Sequence, residues 1–540
     1  MMKYRLLSFL SLMLPALSFA QEESTSEKID AVFSKYTSWF VDAVFYEIPF
    51  SEKFQIPWVL IVLIGGALYF TIYFKLINIT GFWTAIKVVQ GKYEDIEKHG
   101  VDHLYGDIPE EHDLPDTIRD ESAHGEVSHF QALTAALSAT VGLGNIAGVA
   151  VALSIGGPGA TFWMILAGIL GMASKFAECT LGVKYRDVGE DGTVYGGPMY
   201  YLTKGLKEKN AKGLGKVLAV LFAIFVIGGS FGGGNMFQAN QAAAQFVELF
   251  GFENANAGLY FGIVMAILVA VVIIGGIKRI ASVTEKVVPF MAGIYVLAAL
   301  IILGANFSSI DDAFGLIFEG AFSGLGIAGG LIGVMIQGVR RGAFSNEAGV
   351  GSAAIAHSAV RTKYPASEGI VALLEPFVDT VVICTMTALV IIITNYDAGF
   401  LQYGTEITEG VEITATAFDT VIPHFSVVLT IAVILFAFST MISWSYYGMQ
   451  GWMFLFGKSK KSDLAYKVLF LIFVVVGASI SLGSVIDFSD AMIFAMVVPN
   501  IIGVVLLTPV VRKELNKYMD AINKKEVALE DGAEDMADKM

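Results

Sequence analysis

Apolar residues in this chain gather into runs long enough to cross a bilayer, and the polar residues gather between them. About 20 residues span a 30 Å hydrocarbon core. On that measure eleven runs are predicted as membrane helices, at 56–78, 129–153, 158–184, 216–248, 257–276, 283–304, 322–358, 368–394, 422–456, 464–483 and 488–511. Three of these runs are too long for one plain helix, which predicts tilt, interruption or extension past the membrane.

The polar segments orient the runs. Residues 1–20 open with Lys3 and Arg5, continue with an apolar stretch too short to span, and end Ser18-Phe19-Ala20 before a polar stretch. That is the pattern of a cleavable signal peptide, with a short first membrane helix as the competing reading. Residues 21–55 then form an external segment. With the mature N-terminus outside, every predicted cytoplasmic loop carries Lys or Arg, as with Lys204, Lys207, Lys278, Arg279, Arg361 and Lys458. The outward loops 154–157, 249–256, 305–321, 395–421 and 484–487 carry none, and 395–421 holds Asp397, Glu406, Glu409, Glu412 and Asp419. Basic residues on one side only set an N-out, C-in topology, with a cytoplasmic 79–128 loop and a cytoplasmic tail at 512–540.

Composition removes the alternatives. Of 540 residues 55% are hydrophobic and 16% charged, against about 25% charged in soluble domains. A water-soluble enzyme and a disordered chain are both excluded. The net charge of −15 argues against nucleic acid as a partner. Cys179 and Cys384 fall inside apolar runs and read as small core residues rather than a disulfide framework. His99, His103, His112, His124 and His129 share one polar stretch and read as solvated loop residues. The chain is thus an all-α polytopic membrane protein, whose lasting partner is the lipid bilayer.

Two runs carry glycines where a spanning helix should be continuous. The second has Gly142, Gly144 and Gly148 near its middle. The seventh has Gly338, Gly342 and Gly349 around Ser345, Asn346 and Glu347. An unwound turn in the membrane frees backbone N–H and C=O groups that must face protein or a polar cavity. Interrupted segments five elements apart point to a transporter site between inverted repeats; tight packing through small residues is the bland alternative. Lys175, Glu178, Arg340, Arg341, Glu347, Glu375 and Asp379 lie within or beside apolar runs, so they should face the interior and pair. Arg340 and Arg341 are expected to pair with Glu347 or another cytoplasmic-side acid as an internal gate.

The ninth run supplies a carbonyl at Phe436 with hydroxyls at Ser439 and Thr440 on one helix face. Together with carbonyls near Ser138 and Val141 these suit a weak Na⁺ site, although a Ser-Thr pair alone more often bonds its own helix. Trp444 lies one turn beyond Thr440, placed to wall a small pocket. The N-terminal half-helix end near Asn145 suits a carboxylate, and carbonyls around Gly338–Phe344 suit an amino group.

Ordered segments across most of 60–510 resemble the alanine/glycine:cation symporter family: TVGLGNIAGVA at 140–150, GGPGATFWM at 156–164, GGPMYY at 196–201, NMFQANQ at 235–241, RGAFSNEAGVGSAA at 341–354, EPFVDT at 375–380 and SWSYYGMQ at 443–450. The resemblance implies a leucine-transporter-like fold of 5+5 inverted repeats (129–304 and 305–511), with 56–78 as one extra N-terminal helix. It implies import of small neutral amino acids, alanine and often glycine, coupled to Na⁺, in a bacterial-type inner membrane. Carried onto this chain, the substrate site is Thr140, Gly142, Gly144, Asn145, Gln238, Gly338, Phe344 and Trp444. The Na⁺ site is Ser138, Val141, Phe436, Ser439 and Thr440; a shift of one residue would bring in Ala437 or Met441. The alternative is a same-fold symporter for another small solute or one driven by H⁺. No HExxH, GxSxG or paired catalytic aspartate motif lies in the runs, so no enzymatic chemistry and no organic cofactor is expected.

Overall fold

The computed structural model describes residues 25–51, 54–99, 125–189, 192–252, 256–323, 330–405 and 410–537. The predicted signal segment 1–20, residues 100–124 of the predicted loop with His103, His112, His124 and Arg119, and the acids Glu406 and Glu409 lie outside these. The described chain is almost wholly helical. Its strands are two short antiparallel pairs, Glu47–Ser51 with Phe54–Pro57 and Asp187–Val188 with Val194–Tyr195.

The described residues of the apolar runs are mostly helical, and among the described residues six helical stretches are long and apolar enough to cross a membrane. They are Ala160–Lys184, Lys212–Phe250, Gly276–Ala305, Pro365–Ala398, Phe425–Phe456 and Leu482–Val527. Trp58–Tyr73, Ala147–Gly156 and Ala257–Ile273 are shorter apolar helices. Several segments expected as loops are themselves helical. Helix Ile310–Ser323 begins within the 305–321 segment, the 395–421 segment contains Val411–Asp419, and the external segment contains Thr25–Val44. Apolar positions inside these stretches, such as Ala313, Ile317, Ala417 and Phe418, are buried against the bundle. That burial outweighs the polar residues that marked them as loops.

The second run is interrupted. A capping box starts its first half: Ser128 accepts from the Gln131 N–H and the Gln131 side chain accepts from the Ser128 N–H. Helix His129–Thr140 ends before the glycines, and helix Ala147–Gly156 resumes after a non-helical Val141–Ile146 turn. In the seventh run the break lies later than the glycine pattern suggests. Helix Gly330–Asn346 is continuous through Gly338 and Gly342, and the chain unwinds at Glu347–Ser352 before Ala353–His357. Glu347, Gly349 and Gly351 take positive φ there, at 55°, 87° and 92°. Only glycine adopts that region without cost, so Gly349 and Gly351, rather than Gly338, carry the interruption.

Close helix approach is secured by small residues. A Cβ on Gly369 would stand 2.0 Å from Thr180 Oγ1 and 2.6 Å from the Phe176 carbonyl, so Pro365–Val371 lies directly on Ala160–Lys184. At its far end the long helix beginning at Leu482 docks on the Glu94–His99 helix. Tyr518 donates to Glu97 at 2.6 Å, and Tyr93 donates to Glu526 at 2.9 Å.

Gly369→Ala should therefore overpack this contact. Such a change costs about 1–3 kcal/mol, and the expected result is a lower melting temperature of the detergent-solubilised protein, read by loss of its monodisperse peak on heating. An unchanged melting temperature would mean that the two helices separate freely.

Candidate functional site

Both interruptions are held from the same place. The eighth run contains a π-helical stretch, Phe377–Cys384, whose wider turn turns Asp379 and Thr380 inward. Asn145 folds the first break by accepting from the Gly142 N–H at 2.9 Å. Its amide donates to the Asp379 carboxylate at 2.7 Å and to the Asp379 carbonyl at 3.0 Å. Asn346 does the same at the second break, accepting from the Ala348 N–H and donating to Thr380 Oγ1, each at 2.9 Å. Ser345 and Thr380 complete the Asp379 carboxylate at 2.8 and 2.7 Å. Asn500 secures the second break from the other side, donating to the Gly349 carbonyl at 2.9 Å and to Glu178 at 2.6 Å.

A narrow hollow, with a cavity volume of only about 10 Å³, lies between the breaks, lined by Ala139, Thr140, Gly144, Gly233, Gln238, Phe344, Glu347, Trp444 and Ile493. Five of the predicted substrate residues are in its wall: Thr140, Gly144, Gln238, Phe344 and Trp444. Gln238 accepts from the Leu143 N–H at 3.2 Å, tying the Lys212–Phe250 stretch to the unwound turn. The Trp444 indole donates to Glu347 at 3.0 Å. The ring can lie so close because the π turn Gly232–Met236 has no side chain there; a Cβ on Gly234 would stand 2.2 Å from Trp444 Cγ. The three consecutive glycines were the available signal for this wall, and the sequence reading did not use them.

The other predicted substrate residues are placed differently. Asn145 lies behind the hollow, where its side-chain polar groups are taken up by Gly142 and Asp379. Gly142 faces Thr440, and a Cβ there would come within 2.4 Å of Thr440 Oγ1. Gly338 is removed from the site. Its position sits 2.3 Å from the Ala160 carbonyl by the same measure, and it packs two helices together. The carbonyls from Gly338 to Phe344 belong to a continuous helix, so the expectation that they receive an amino group is corrected; the released backbone lies at Glu347–Ser352.

The predicted Na⁺ residues come together where His129–Thr140 meets Phe425–Phe456. Thr440 donates to the Ser138 carbonyl at 3.0 Å and Ser138 donates to the Ser439 carbonyl at 2.8 Å. Ser439 donates to the Phe436 carbonyl at 3.0 Å. Val141 ends the first half-helix beside them, with its N–H on the Leu137 carbonyl. The set is hydroxyl and carbonyl oxygen, uncharged and fully buried, which is the chemistry a dehydrated alkali ion accepts. Because Gly142 abuts Thr440, this oxygen cluster and the hollow share the unwound turn.

The charged residues pair, though not as expected. Arg340 donates to Asp490 at 2.7 Å and Arg341 binds the same carboxylate oxygen, with no pairing to Glu347. Arg341 is one turn before Phe344, and Asp490 one turn before Ile493, so the pair caps the hollow on the side of the 484–487 segment. The expected pairing with Glu347 is corrected: the acid that meets these arginines is Asp490, on a helix 150 residues away. His129 is no solvated loop residue either, since its ring lies between Glu97 and Glu368. Cys179 and Cys384 are buried and free.

A helical membrane bundle whose two interrupted helices close around a small, partly polar hollow is built as a transporter, not an enzyme. Residues 112–531 match the family model described as the sodium:alanine symporter family, and the chain belongs to that family. It is 41% identical to the sodium/alanine symporter AgcS of Methanococcus maripaludis, over 87% of this chain and 96% of that one. It is 34% identical to the amino-acid carrier protein AlsT of Bacillus subtilis, over 85% and 88%. The probable sodium/glutamine symporter GlnT of the same organism is 36% identical over 73% and 78%. In fold it is similar to the crystal structure of MhsT in complex with L-phenylalanine, with a TM-score of 0.50 at 15% identity, covering 74% of this chain and 99% of that one.

Asn145→Ala removes the clamp on the first break and leaves the Gly142 N–H and one Asp379 oxygen without partners. Each unsatisfied buried group costs about 1–3 kcal/mol. The variant should lose thermal stability measurably more than Gln131→Ala, whose capping contact is at the bundle's edge. Equal melting curves for the two variants would show that the turn does not depend on Asn145.

Proposed function

We propose that the chain imports small neutral amino acids, alanine and with it glycine, together with Na⁺, by alternating access in a leucine-transporter-like frame. In that frame 129–304 and 305–511 are the inverted repeats and the Trp58–Tyr73 helix is the additional element. The mature N-terminus is outside and the C-terminus cytoplasmic, in the inner membrane of a bacterial-type cell. The observation that carries this reading is the single Val141–Ile146 turn, which borders the hollow on one side and the Ser138, Phe436, Ser439 and Thr440 oxygens on the other.

The physical scheme follows from that shared turn. A carboxylate in the hollow meets the Gly144 N–H and the positive end of helix Ala147–Gly156. Phe344 and Trp444 bound the side chain, and the narrow space favours hydrogen or methyl over larger groups. Na⁺ held by Ser138, Val141, Phe436, Ser439 and Thr440 bridges the first half-helix to Phe425–Phe456 and stabilises the turn in its substrate-ready form, so ion and amino acid each favour binding of the other. The Arg340, Arg341 and Asp490 cluster closes the hollow towards the outside. Arg341 Nε and Nη1 and Asp490 Oδ1 have no hydrogen-bond partner among the described residues. A closure so incompletely bonded separates at less cost than a fully satisfied buried pair.

Radiolabelled alanine uptake into vesicles tests the reading. Uptake should require an inward Na⁺ gradient, and equal uptake in K⁺ or choline buffer would reject Na⁺ coupling. Competition by glycine, L-alanine, D-alanine, serine and leucine sets the size limit. Thr440→Ala should raise the Na⁺ concentration for half-maximal uptake about tenfold, which corresponds to about 1.4 kcal/mol. Trp444→Ala should admit larger side chains, and continued exclusion of leucine would remove Trp444 from the pocket wall.

A further inference from the structure

The Arg340, Arg341 and Asp490 closure is reached by a part of the chain that precedes residues 112–531, the span of the family match. Helix Thr25–Val44 and the paired strands Glu47–Ser51 and Phe54–Pro57 form an external strap, and Phe45 stands where the helix ends. The Phe45 N–H donates to the Val41 carbonyl at 2.9 Å. Trp58 ties the strands back to the helix. Its indole donates to the Ala43 carbonyl at 3.0 Å, and its backbone N–H to the Tyr46 carbonyl at 3.1 Å. The Phe45 ring is thereby aimed at the closure. It lies against the Arg340 guanidinium, whose Cζ is 4.2 Å from the ring centroid, and meets Phe494 edge-on at 5.5 Å. Those two residues stand on opposite halves of the closure, Arg340 on helix Gly330–Asn346 and Phe494 on the helix that carries Asp490.

From Phe45 the contacts continue inward. Arg340 and Arg341 share one oxygen of Asp490, and Arg341 lies over the ring of Phe344, with Cζ 5.2 Å from its centroid. Phe344 is in the wall of the hollow. Each arginine is thus set against a phenylalanine ring, Phe344 on the inner side and Phe45 on the strap. A guanidinium presents its N–H donors in its own plane, so a ring packed against it fixes where those donors point. The direction matters for Arg340 because it has a choice of acid. Its Nε donates to Asp490 at 2.7 Å, while Asp487 is 3.9 Å from Nη2. The Asp490 side chain is fully buried, whereas that of Asp487 is 63% exposed. Without the ring, Arg340 is free to turn towards Asp487 and water, which removes one of the two bonds that cross the closure.

We propose that Phe45 is a positioning residue for this closure, and that the strap thereby sets how readily the hollow opens to the outside. The proposal rests on the alternating-access reading above and adds to it a control that lies outside the matched residues 112–531. Replacing the ring weakens the Arg340 bond to Asp490 and shifts the population towards the outward-open state. Packing alone would ask only for apolar volume at residue 45, which leucine supplies. A guanidinium asks for an aromatic face, which tyrosine keeps.

The test introduces Ile493→Cys in the wall of the hollow of the full chain and follows its reaction with a membrane-impermeant thiol reagent applied to intact cells. Cys179 and Cys384, the two cysteines of the chain, are buried. Measured in Na⁺ buffer without amino acid, the rate reports opening of the closure independently of transport. Adding Phe45→Leu should raise the rate about fivefold, the factor expected for loss of one cation–π contact. Phe45→Tyr should leave it unchanged. Phe40→Leu, which alters the strap where it meets Phe225 rather than the closure, should leave it unchanged as well. Equal rates for Phe45→Leu and its parent overturn the proposal and leave amino-acid symport standing. An equal rise with Phe45→Tyr or Phe40→Leu also overturns it, since the strap would then act through packing. A cysteine unreactive from outside even with Phe45→Leu overturns the proposal, and its reaction in inverted vesicles would put the closure on the cytoplasmic side, against the reading above. If Phe45→Leu fails to assemble, Phe45→Met makes the same comparison.

Discussion

A membrane-embedded helix that unwinds must find partners for its backbone within the protein, because lipid supplies none. Here that demand is met at one place. The Asp379 carboxyl and the neighbouring Thr380 hydroxyl take the amides of Asn145 and Asn346, one from each broken helix. The two asparagines turn their other face to the backbone N–H of Gly142 and of Ala348. The hollow, its lining and the neighbouring oxygen cluster all depend on these two turns keeping their shape.

The same constraint explains why the buried charged residues lie beside one another. Burying a charge is costly unless it is paired and hydrogen-bonded, and the cost is met by arranging opposite charges in order. Asp490 receives two arginines on one side of the hollow. On the other side lysine, histidines and glutamates alternate towards the helix that carries Tyr518. The two arrangements differ in satisfaction. The arginine cluster leaves several polar atoms without a partner among the described residues, whereas His129 and His357 have a partner on both nitrogens of each ring.

The site was partly legible in advance, and unevenly. Ser138, Ser439 and Thr440 could be paired from helical spacing and the resemblance, and the structure brings their oxygens into contact. Phe344 and Trp444 face one hollow, as the resemblance implied. Gly338 was misplaced because glycine serves two ends, close packing and backbone release, and only its surroundings distinguish them. Gly338 lies against the Ala160 carbonyl, while positive φ at Gly349 and Gly351 marks the true interruption. His129 was misjudged for a similar reason: its sequence neighbours are polar, but its spatial neighbours are buried carboxylates.

What the sequence by itself determined is the solvent this chain requires and the places where its helices weaken. Those follow from the local density of apolar side chains and from glycine, both properties of short windows. Tertiary structure alone decided which charge meets which. Arg341 joins Asp490 across 149 residues, Lys175 joins Glu375 across 200, and His129 joins Glu368 across 239. Electrostatic pairing is a matter of a few ångströms in space, and separation along the chain carries no information about it until the helices have packed.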